Sequence, residues 1–401
     1  MSYTQPNAFA YGAVRTASWL AAKLVFGRKI LRNEIRRVKG PYVVIANHQA
    51  ALDFVNLIGL TRRRLSFVIS NSICSTLPCR PVVDNLGLIP KQQFQTTPRD
   101  LKRMKEVIDA GQPLVIYPAG LMCEDGLSTP IPSATCKFLK WLGADIYVAR
   151  TCGSYYVMPK WSKGLRPGRT TLDVYKLVDK EQLAAMELPE LQRITDEALL
   201  FDACREQEVL RARCWNSADI RGLQHVLYAC PHCGAEFTVE AQGKNILRCT
   251  ACGFAQKSDA LGFLHRINGD GEEIRYFSDW SRRIRAALHT RLRAAAEPSL
   301  ETPVRIRMIG NGEHKFTDAG EGIVRLTPRR IELNATIHGE PLRLEQPLVN
   351  IPSLPFSPGR HFEIQHGSTI YRCLPQDGRI VMKFIHMLQL FHENLHADAA
   401  L

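Results

Sequence analysis

The sequence predicts an α/β domain, then a small cysteine-rich ribbon, a basic linking helix and a β-barrel-like module closed by a C-terminal helix. Three observations support this order. Strand-like and helix-like segments alternate from Pro41 onward, two Cys-x-x-Cys pairs follow from residue 230, and short strands separated by Pro/Gly turns occupy the last hundred residues. Such alternation is typical of a mostly parallel sheet flanked by helices. A chain of 401 residues is long enough for two or three domains.

The composition is that of a folded protein with a basic N-terminal region. Its 45% hydrophobic and 23% charged residues lie near the globular average, which excludes disorder of the whole chain. The net charge is +13, and residues 1–100 hold 14 Lys/Arg against 4 Asp/Glu, whereas residues 301–401 hold 11 of each. The N-terminal surplus favours an anionic partner, either a phosphate-bearing substrate or a lipid surface.

Residues 1–40 are expected to form amphipathic, basic helices. Residues 8–39 combine apolar clusters with eight basic residues and the single acid Glu34. Such a helix either packs on the domain or lies in a membrane interface, and the excess of basic residues favours docking on anionic lipids. No segment approaches the run of about 18 apolar residues that a spanning helix needs, and we find no signal-peptide pattern. We therefore expect a peripheral protein at the cytoplasmic face of the cell membrane.

The α/β domain is predicted over residues 41–215. Its expected strands are Tyr42–Ala46, Leu65–Ser70, Leu86–Ile89, Pro113–Tyr117, Asp145–Arg150 and Thr171–Leu177. Its expected helices lie near 49–60, 99–110, 130–142 and 180–210. Short apolar runs rich in β-branched residues are typical of strands that are buried on both faces.

A His-x4-Asp pair follows the first of these strands. On one continuous helix, residues five apart do not share a face. With His48 on the strand-to-helix turn and Asp53 in the first helical turns, however, the carboxylate reaches the ring. It would then fix the tautomer and raise the basicity of the other ring nitrogen, which makes a general base. The structural alternative is a buried histidine whose hydrogen-bonding needs are met by the aspartate and which has no catalytic role. The same spacing at His265 and Asp270 leads into turn residues and is interpreted as structural.

Two further motifs end at the same edge of the predicted sheet. Lys91 follows one strand, and the segment Tyr117-Pro118-Ala119-Gly120 follows the next. Ligands of open α/β sheets bind beyond the carboxyl ends of the strands. We therefore expect a base, a cation and backbone N–H donors to converge there.

At these residues the sequence resembles the lysophospholipid acyltransferase family, typified by 1-acyl-glycerol-3-phosphate acyltransferase, over roughly residues 10–200. The family's first block, Asn-His-x4-Asp, matches Asn47, His48 and Asp53. Lys91 stands where the family typically has Arg. The third block, usually Phe-Pro-Glu-Gly-Thr, lacks its Glu and Thr and has Ala119 and Leu121 instead. Glu124 and Asp125 lie close enough in sequence to take over the missing carboxylate.

The resemblance implies transfer of a fatty acyl group from a coenzyme A or acyl carrier protein thioester to the hydroxyl of a lysophospholipid, 1-acyl-glycerol-3-phosphate. His48 would take the hydroxyl proton, Asp53 would orient His48, and Lys91 would hold the phosphate. Backbone N–H groups near Gly120 would stabilise the oxyanion. The remaining residues that the resemblance assigns to substrate binding are Asn47, Tyr117, Pro118 and Glu124. The altered third block leaves open which headgroup is accepted.

Residues 223–262 are predicted to form a zinc ribbon. The spacing of Cys230, Cys233, Cys249 and Cys252 is C-x2-C-x15-C-x2-C with Gly after each pair. Such a pattern offers four thiolates to one structural Zn²⁺, and four free thiols are the alternative. His232 lies within a knuckle and is not expected to be a ligand. The other cysteines are scattered, which fits a reducing compartment.

Two segments complete the chain. A basic helix over 272–297 is expected to bury one face, formed by Phe277, Trp280, Ile284, Leu288 and Leu292. Residues 300–396 resemble a pleckstrin-homology-like β module in the order of their elements alone. Its neutral charge favours a packing or partner-binding role over binding of lipid headgroups.

The sequence is compatible with two functions other than acyl transfer. The altered third block also fits a catalytically weak or inactive relative that serves as a lipid- or protein-binding scaffold. The net charge of +13 and the ribbon fit a nucleic-acid-binding protein. We expect no nucleic acid partner, however, because most of the excess positive charge lies in the first hundred residues and not around the ribbon.

Overall fold

The computed structural model describes residues 5–70, 73, 85–91, 97–310, 313 and 315–398. The strands of the N-terminal domain are β1 (Lys29–Asn33), β2 (Tyr42–Ala46), β3 (Ser66–Ser70), β4 (Leu88–Lys91), β5 (Leu114–Ile116), β6 (Asp145–Cys152) and β7 (Thr171–Val178). Its helices are α1 (Ala8–Leu24), α2 (Asp53–Ile58), α3 (Pro98–Asp109), α4 (Ala134–Leu142), α5 (Ser154–Val157), α6 (Lys180–Ala185), α7 (Leu188–Leu199) and α8 (Ala203–Leu210).

A mixed seven-stranded sheet forms the centre of this domain, in the order β1-β7-β6-β2-β5-β3-β4. Neighbouring strands are parallel except β6 and β7, which are antiparallel. Strand β2 is buried at all five positions, as its aliphatic run predicts for a strand covered on both faces. The predicted mostly parallel sheet with flanking helices is therefore confirmed. The single helix predicted over 180–210 is three helices, because Met186 and Leu200 adopt extended conformations.

The prediction of helices throughout residues 8–39 is wrong for its second half. Helix α1 ends at Leu24, Gly27 turns the chain at φ +45°, and residues 29–33 form a strand. That strand pairs in parallel with β7, so sheet hydrogen bonding overrides the local helical pattern. The α/β sheet thus begins before Pro41. No helix in the described ranges is both long and apolar enough to cross a membrane.

The ribbon is a four-stranded antiparallel sheet. Its strands are β8 (Val239–Gln242), β9 (Ile246–Cys249), β10 (Ala255–Ser258) and β11 (Leu264–Asn268). The linking helix is α9 (Phe277–Ala294), and its buried face includes four of the predicted residues, Phe277, Trp280, Ile284 and Leu288. Trp280 Nε1 donates to the carbonyl of Ala229 at 2.8 Å, which ties the helix to the segment that leads into the ribbon.

The last module is an antiparallel sheet closed by helix α10 (Ile380–Asp398). Its strands are β12 (Leu300–Ile309), β13 (Thr317–Leu326), β14 (Arg330–Ile337), β15 (Glu340–Pro347), β16 (Phe356–Ser357), β17 (His361–His366) and β18 (Thr369–Pro375). They lie in the order β15-β14-β13-β12-β18-β17-β16. The sequence analysis missed β12, which pairs with both β13 and β18. No ladder between β15 and β16 is found in the described residues, so the structure does not show the predicted barrel.

One hydrophobic core runs through all parts of the molecule. It includes Phe26 and Tyr155 of the first domain, Phe254 of the ribbon, Trp280 of the linking helix and Phe384 of the last module. Because buried apolar area is the main driving force for packing, the ribbon and the β module are parts of one folded body with the α/β domain.

Candidate active site

His48 and Asp53 are in contact at the carboxyl end of β2. Nδ1 of His48 lies 3.0 Å from Oδ2 of Asp53. The strand ends at Ala46 and helix α2 begins at Asp53, so the loop between them turns the ring toward the carboxylate, as the sequence predicted. The Asp53 side chain is 2% exposed and that of His48 is 20% exposed. Asp53 favours the tautomer with the proton on Nδ1, which leaves Nε2 to accept one.

Two backbone groups hold the Asp53 carboxylate in place. Oδ2 accepts from the N–H of Gln49 at 2.7 Å and from the N–H of Ala50 at 2.8 Å. With the imidazole, these donors give one buried oxygen three partners. These bonds fix the position of the carboxylate beside the ring of His48.

Asn47 holds the loop to the neighbouring strand. Its Oδ1 accepts from the N–H of Thr151 at 2.8 Å, and its Nδ2 donates to the Thr151 carbonyl at 2.7 Å. The side chain is buried, and both of its polar atoms contact β6. The substrate-binding role predicted for Asn47 therefore gives way to a positioning role, because its amide is engaged by the protein backbone.

A polar network that the sequence analysis missed supports the same loop. Gln49 Nε2 donates to Glu206 Oε2 at 3.1 Å, and Glu206 in turn forms a 2.7 Å ion pair with Arg150. Gln49 Oε1 accepts from the N–H of Tyr155 at 3.3 Å. Gln49 is fully buried. Its side-chain partners come from α5 and α8, and Glu206 extends the network to Arg150 of β6. Because no spacing in the sequence connects residues 49, 150, 155 and 206, a motif search could not find them.

The third block packs directly on the imidazole. The rings of Tyr117 and His48 lie with centroids 4.4 Å apart, and burial raises the pKa of the Tyr117 phenol well above its ordinary value. Gly120 has φ +69°, and its N–H donates to the Tyr117 carbonyl at 3.0 Å. Residues 117–120, Pro118 among them, thus form a tight turn. The predicted oxyanion donor at Gly120 is already engaged, so the structure does not support that role.

The two acids after this block, Glu124 and Asp125, interact with groups other than His48. Asp125 accepts from Ser281 Oγ at 2.5 Å and from the N–H of Leu127 at 3.0 Å, so it anchors the linking helix. Burial raises the pKa of the Glu124 carboxyl, and the nearby Lys160 ammonium opposes this rise. Burial in turn lowers the pKa of Lys160. The charges of Glu124 and Lys160 thus act on each other, and the replacement of the missing Glu by Glu124 stays a prediction.

Lys91 lies at the same edge of the sheet but at a distance from His48. Four neighbouring strands are paired at one height of the sheet, through Val44, Val115, Phe67 and Leu88. Asn47, Pro118 and Lys91 each lie three residues further along their chains. Three strand spacings of about 4.8 Å separate Lys91 from Asn47, roughly 14 Å between Cα atoms. Lys91 is the last residue of β4 and not beyond it, and burial lowers the pKa of its ammonium.

The four ribbon cysteines form one cluster, and their candidate ligand atoms all lie within 4.8 Å of one another. Sγ of Cys230 is 3.7 Å from Sγ of Cys252, and Sγ of Cys233 is 3.8 Å from Sγ of Cys249. Zinc–sulfur bonds of about 2.3 Å in a tetrahedron require S···S separations of about 3.8 Å. The cluster therefore has the dimensions of a metal site. His232 is not part of it and stacks on Phe254.

Two comparisons with known proteins found similarities to this chain. A solved structure, the 1-acyl-sn-glycerophosphate (LPA) acyltransferase PlsC from Thermotoga maritima, is similar over 50% of this chain and 79% of its own, with 16% identity and a TM-score of 0.42. No curated protein matches the chain. Residues 28–161 match the family model described as Acyltransferase. This segment contains His48 and Asp53.

Proposed function

We propose that this protein transfers a fatty acyl group from a coenzyme A or acyl carrier protein thioester to the hydroxyl of a lysophospholipid, 1-acyl-glycerol-3-phosphate. The observation that carries the proposal is the His48–Asp53 contact, held by two backbone N–H groups at the carboxyl end of a parallel strand. The match of residues 28–161 to the Acyltransferase family supports the reaction class.

The chemistry needs one proton carrier. Nε2 of His48 takes the proton of the acceptor hydroxyl while the hydroxyl oxygen bonds to the thioester carbonyl carbon. When the carbon–sulfur bond breaks, the departing sulfur takes that proton from the imidazolium, which leaves an ester and a free thiol. Asp53 stabilises the imidazolium in between.

Lys91 is the proposed partner of the acceptor phosphate. Its ammonium lies at the edge of the sheet on which His48 sits, and it acts on phosphate as a point charge. The separation of roughly 14 Å between backbone positions, derived from the strand spacing, leaves room for an acceptor whose phosphate faces Lys91 and whose hydroxyl faces His48.

We assign the four ribbon cysteines to a structural Zn²⁺. Four thiolates close the coordination sphere, and no position is then left for substrate or water. Zinc would join the two knuckles that carry the cysteines. Because Cys230 and Cys249 are buried in the common core, the ion would stabilise the fold and take no part in the proton transfer.

The N-terminal region is proposed to dock on anionic lipid. Helix α1 buries Tyr11, Ser18 and Ala22 and exposes apolar side chains, with Phe9 89% and Leu24 65% exposed. The following residues add further exposed apolar groups, Ile30 and Leu31, among basic ones. Apolar groups next to Lys and Arg suit the headgroup boundary of an anionic, peripheral membrane surface.

The alternative is a scaffold that binds lipid or protein with weak or no turnover. Two observations favour it. Ala119 replaces the usual carboxylate, and Asp125, which could have replaced it, is engaged by Ser281.

Acyl transfer by the purified full-length protein on anionic vesicles tests both functions. Acyl-coenzyme A and acyl carrier protein donors are crossed with lysophosphatidic acid, other lysophospholipids and glycerol phosphate. We expect His48→Ala to lower turnover by about 10²- to 10⁴-fold without changing the melting temperature. The exposed His366, changed to Ala, is the matched control. Unchanged turnover in His48→Ala would contradict the mechanism, and no turnover with any pair from folded protein would favour the scaffold.

A further inference from the structure

A cavity of about 530 Å³ lies apart from His48, where three loops meet. The loops belong to the α/β domain (161–166), to the segment before the ribbon (215–225) and to the β module (358–360). Pockets for small molecules typically measure about 300–1,000 Å³. The sequence could not have predicted this cavity, because its walls come from three separate parts of the chain.

The walls of the cavity are strongly basic. Its cationic side chains are Lys163, Arg166, Arg221 and Arg360, and Asp219 supplies the one carboxylate among its lining residues. That carboxylate pairs with Arg221 at 2.6 Å. Neither Lys163 nor Arg360 forms an ion pair within the described residues. An excess of cations on concave walls concentrates the field and attracts an anion.

Arg166 is a buried cation in the wall of the cavity, held in a fixed position by its neighbours. It is only 6% exposed, its Nη2 donates to the Asp219 carbonyl, and its guanidinium lies 5.0 Å from the centroid of the Trp161 ring. A guanidinium fixed in this way presents its remaining N–H donors in a rigid fork, the arrangement that suits phosphate oxygens.

Two indole rings add a flat apolar surface. Trp161 is buried in the wall, and Trp215 at the rim is 71% exposed. Exposed aromatic rings next to arginines stack on nucleobases while the cations hold the phosphates. The lining therefore fits a phosphorylated nucleotide better than it fits a simple anion.

Tyr155 connects this cavity to the proposed reaction site. Its hydroxyl accepts from Trp161 Nε1 at 2.7 Å and donates to the Glu124 carbonyl at 2.9 Å. Its backbone N–H donates to Gln49 Oε1 at 3.3 Å, and Gln49 is next to His48. One residue thus touches both the cavity wall and the loop of the base.

We propose that this cavity binds the phosphorylated adenosine end of coenzyme A. The inference rests on the proposed function and selects among its donors, because a concave cavity of this size suits a nucleotide and not the surface of a carrier protein. Arg166 and Arg360 bind the phosphates, and Trp215 stacks on the adenine.

Calorimetric titration of the full-length protein tests the site without turnover. Coenzyme A, adenosine 3′,5′-bisphosphate, pantetheine and inorganic phosphate are compared. The first two are expected to bind, and the double change Lys163→Ala, Arg360→Ala should weaken both at least tenfold. Arg343→Ala, which removes an exposed arginine elsewhere on the β module, should leave both affinities unchanged. Equal affinity for pantetheine, equal affinity for phosphate alone, or no effect of the double change would overturn the proposal.

Kinetics separate this proposal from the function on which it rests. In the double variant the KM for acyl-coenzyme A should rise at least tenfold while kcat is kept. Turnover with an unchanged KM, or turnover from acyl carrier protein alone, would overturn the cavity proposal and leave the acyltransferase standing. Nucleotide binding that the double change abolishes, in a protein with no turnover, would support the cavity and remove the acyltransferase.

Discussion

At the scale of single residues, the proposed base depends on groups that never touch the substrate. The contact between His48 and Asp53 could be predicted because only five residues separate them and a strand end precedes them. The support from Gln49, Arg150 and Glu206 could not, because the Gln49–Glu206 contact spans 157 residues and the Arg150–Glu206 contact spans 56. Replacement of Asp53 and replacement of His48 should consequently differ in their effects on protein stability.

Asp53→Asn should lower both turnover and stability. The buried Oδ2 accepts from two backbone N–H groups and the imidazole. An Asn side chain that keeps its oxygen there places its NH₂ group at the buried position of Oδ1, which has no hydrogen-bond partner among the described residues. We expect a loss of about 1–3 kcal/mol in the free energy of unfolding, measured by urea denaturation, together with loss of acyl transfer. His48→Ala should cost turnover alone. A fully stable Asp53→Asn protein would contradict the assigned bonds.

Glu206→Ala should lower kcat while the KM values stay unchanged. It removes the acceptor of Gln49 and the partner of Arg150, so the loop of His48 loses its support, and a misplaced base costs roughly 10- to 100-fold. Glu206→Gln, which keeps a carbonyl oxygen, should restore part of the rate. Glu190→Ala, which breaks the exposed ion pair with Arg193, is the matched control. A raised KM with normal kcat would argue against positioning.

At the scale of elements, local sequence patterns predict an element correctly where the residues that define it are close together in the chain. The two knuckles of the ribbon and the buried face of α9 were recognised from spacing alone. The prediction of helix over β1 is wrong, because this segment is held as a strand by β7, which lies about 140 residues away in the sequence. Similarly, the pairing of His265 with Asp259 at 3.1 Å, and not with Asp270, agrees with the structural interpretation of that motif.

The ribbon should hold one zinc ion per chain. Cys249→Ser removes a buried ligand, so we expect loss of zinc by elemental analysis and a lower melting temperature. Cys136→Ser, a buried cysteine outside the cluster, should retain zinc. A wild-type protein without bound metal, folded and unaffected by chelators, would contradict the assignment.

Helix α10 should make the fold sensitive to acid. His386 is buried against Tyr228, and burial lowers its pKa from 6.5 to about 3. Between these values the unfolded chain binds a proton that the folded chain does not, so stability falls as the pH drops through this window and is unaffected above it. His386→Leu should flatten the fall in urea denaturation from pH 6.5 to 4, whereas His366→Leu should not.

At the scale of the whole molecule, the α/β domain and the two later modules share one hydrophobic cluster, and the α/β sheet has two further clusters of its own. The cavity between them exists only because the loops at 161–166, 215–225 and 358–360 meet. The N-terminal region exposes apolar side chains, among them Phe9, Leu24 and Leu31, and their contact with a membrane surface is part of the proposed function.

Leu24→Glu should weaken binding to vesicles that contain phosphatidylglycerol and leave the fold intact, because Leu24 is 65% exposed on α1. Val209→Glu, at a position that is 91% exposed on α8, should bind like the wild type. Sedimentation with vesicles at increasing salt measures both effects, and the wild-type protein should dissociate as salt screens the headgroups. Equal binding by the two variants would contradict the assigned surface.

The sequence by itself determined the alternating α/β pattern, the contact of His48 with Asp53, the cysteine ribbon and the buried face of the linking helix. Each of these depends on residues a few positions apart, where backbone geometry alone sets which side chains meet. Only the tertiary structure decided that residues 29–33 join the sheet and that Gln49 is held by Glu206. It also decided where the basic cavity lies, because these contacts join distant segments that long-range packing brings together.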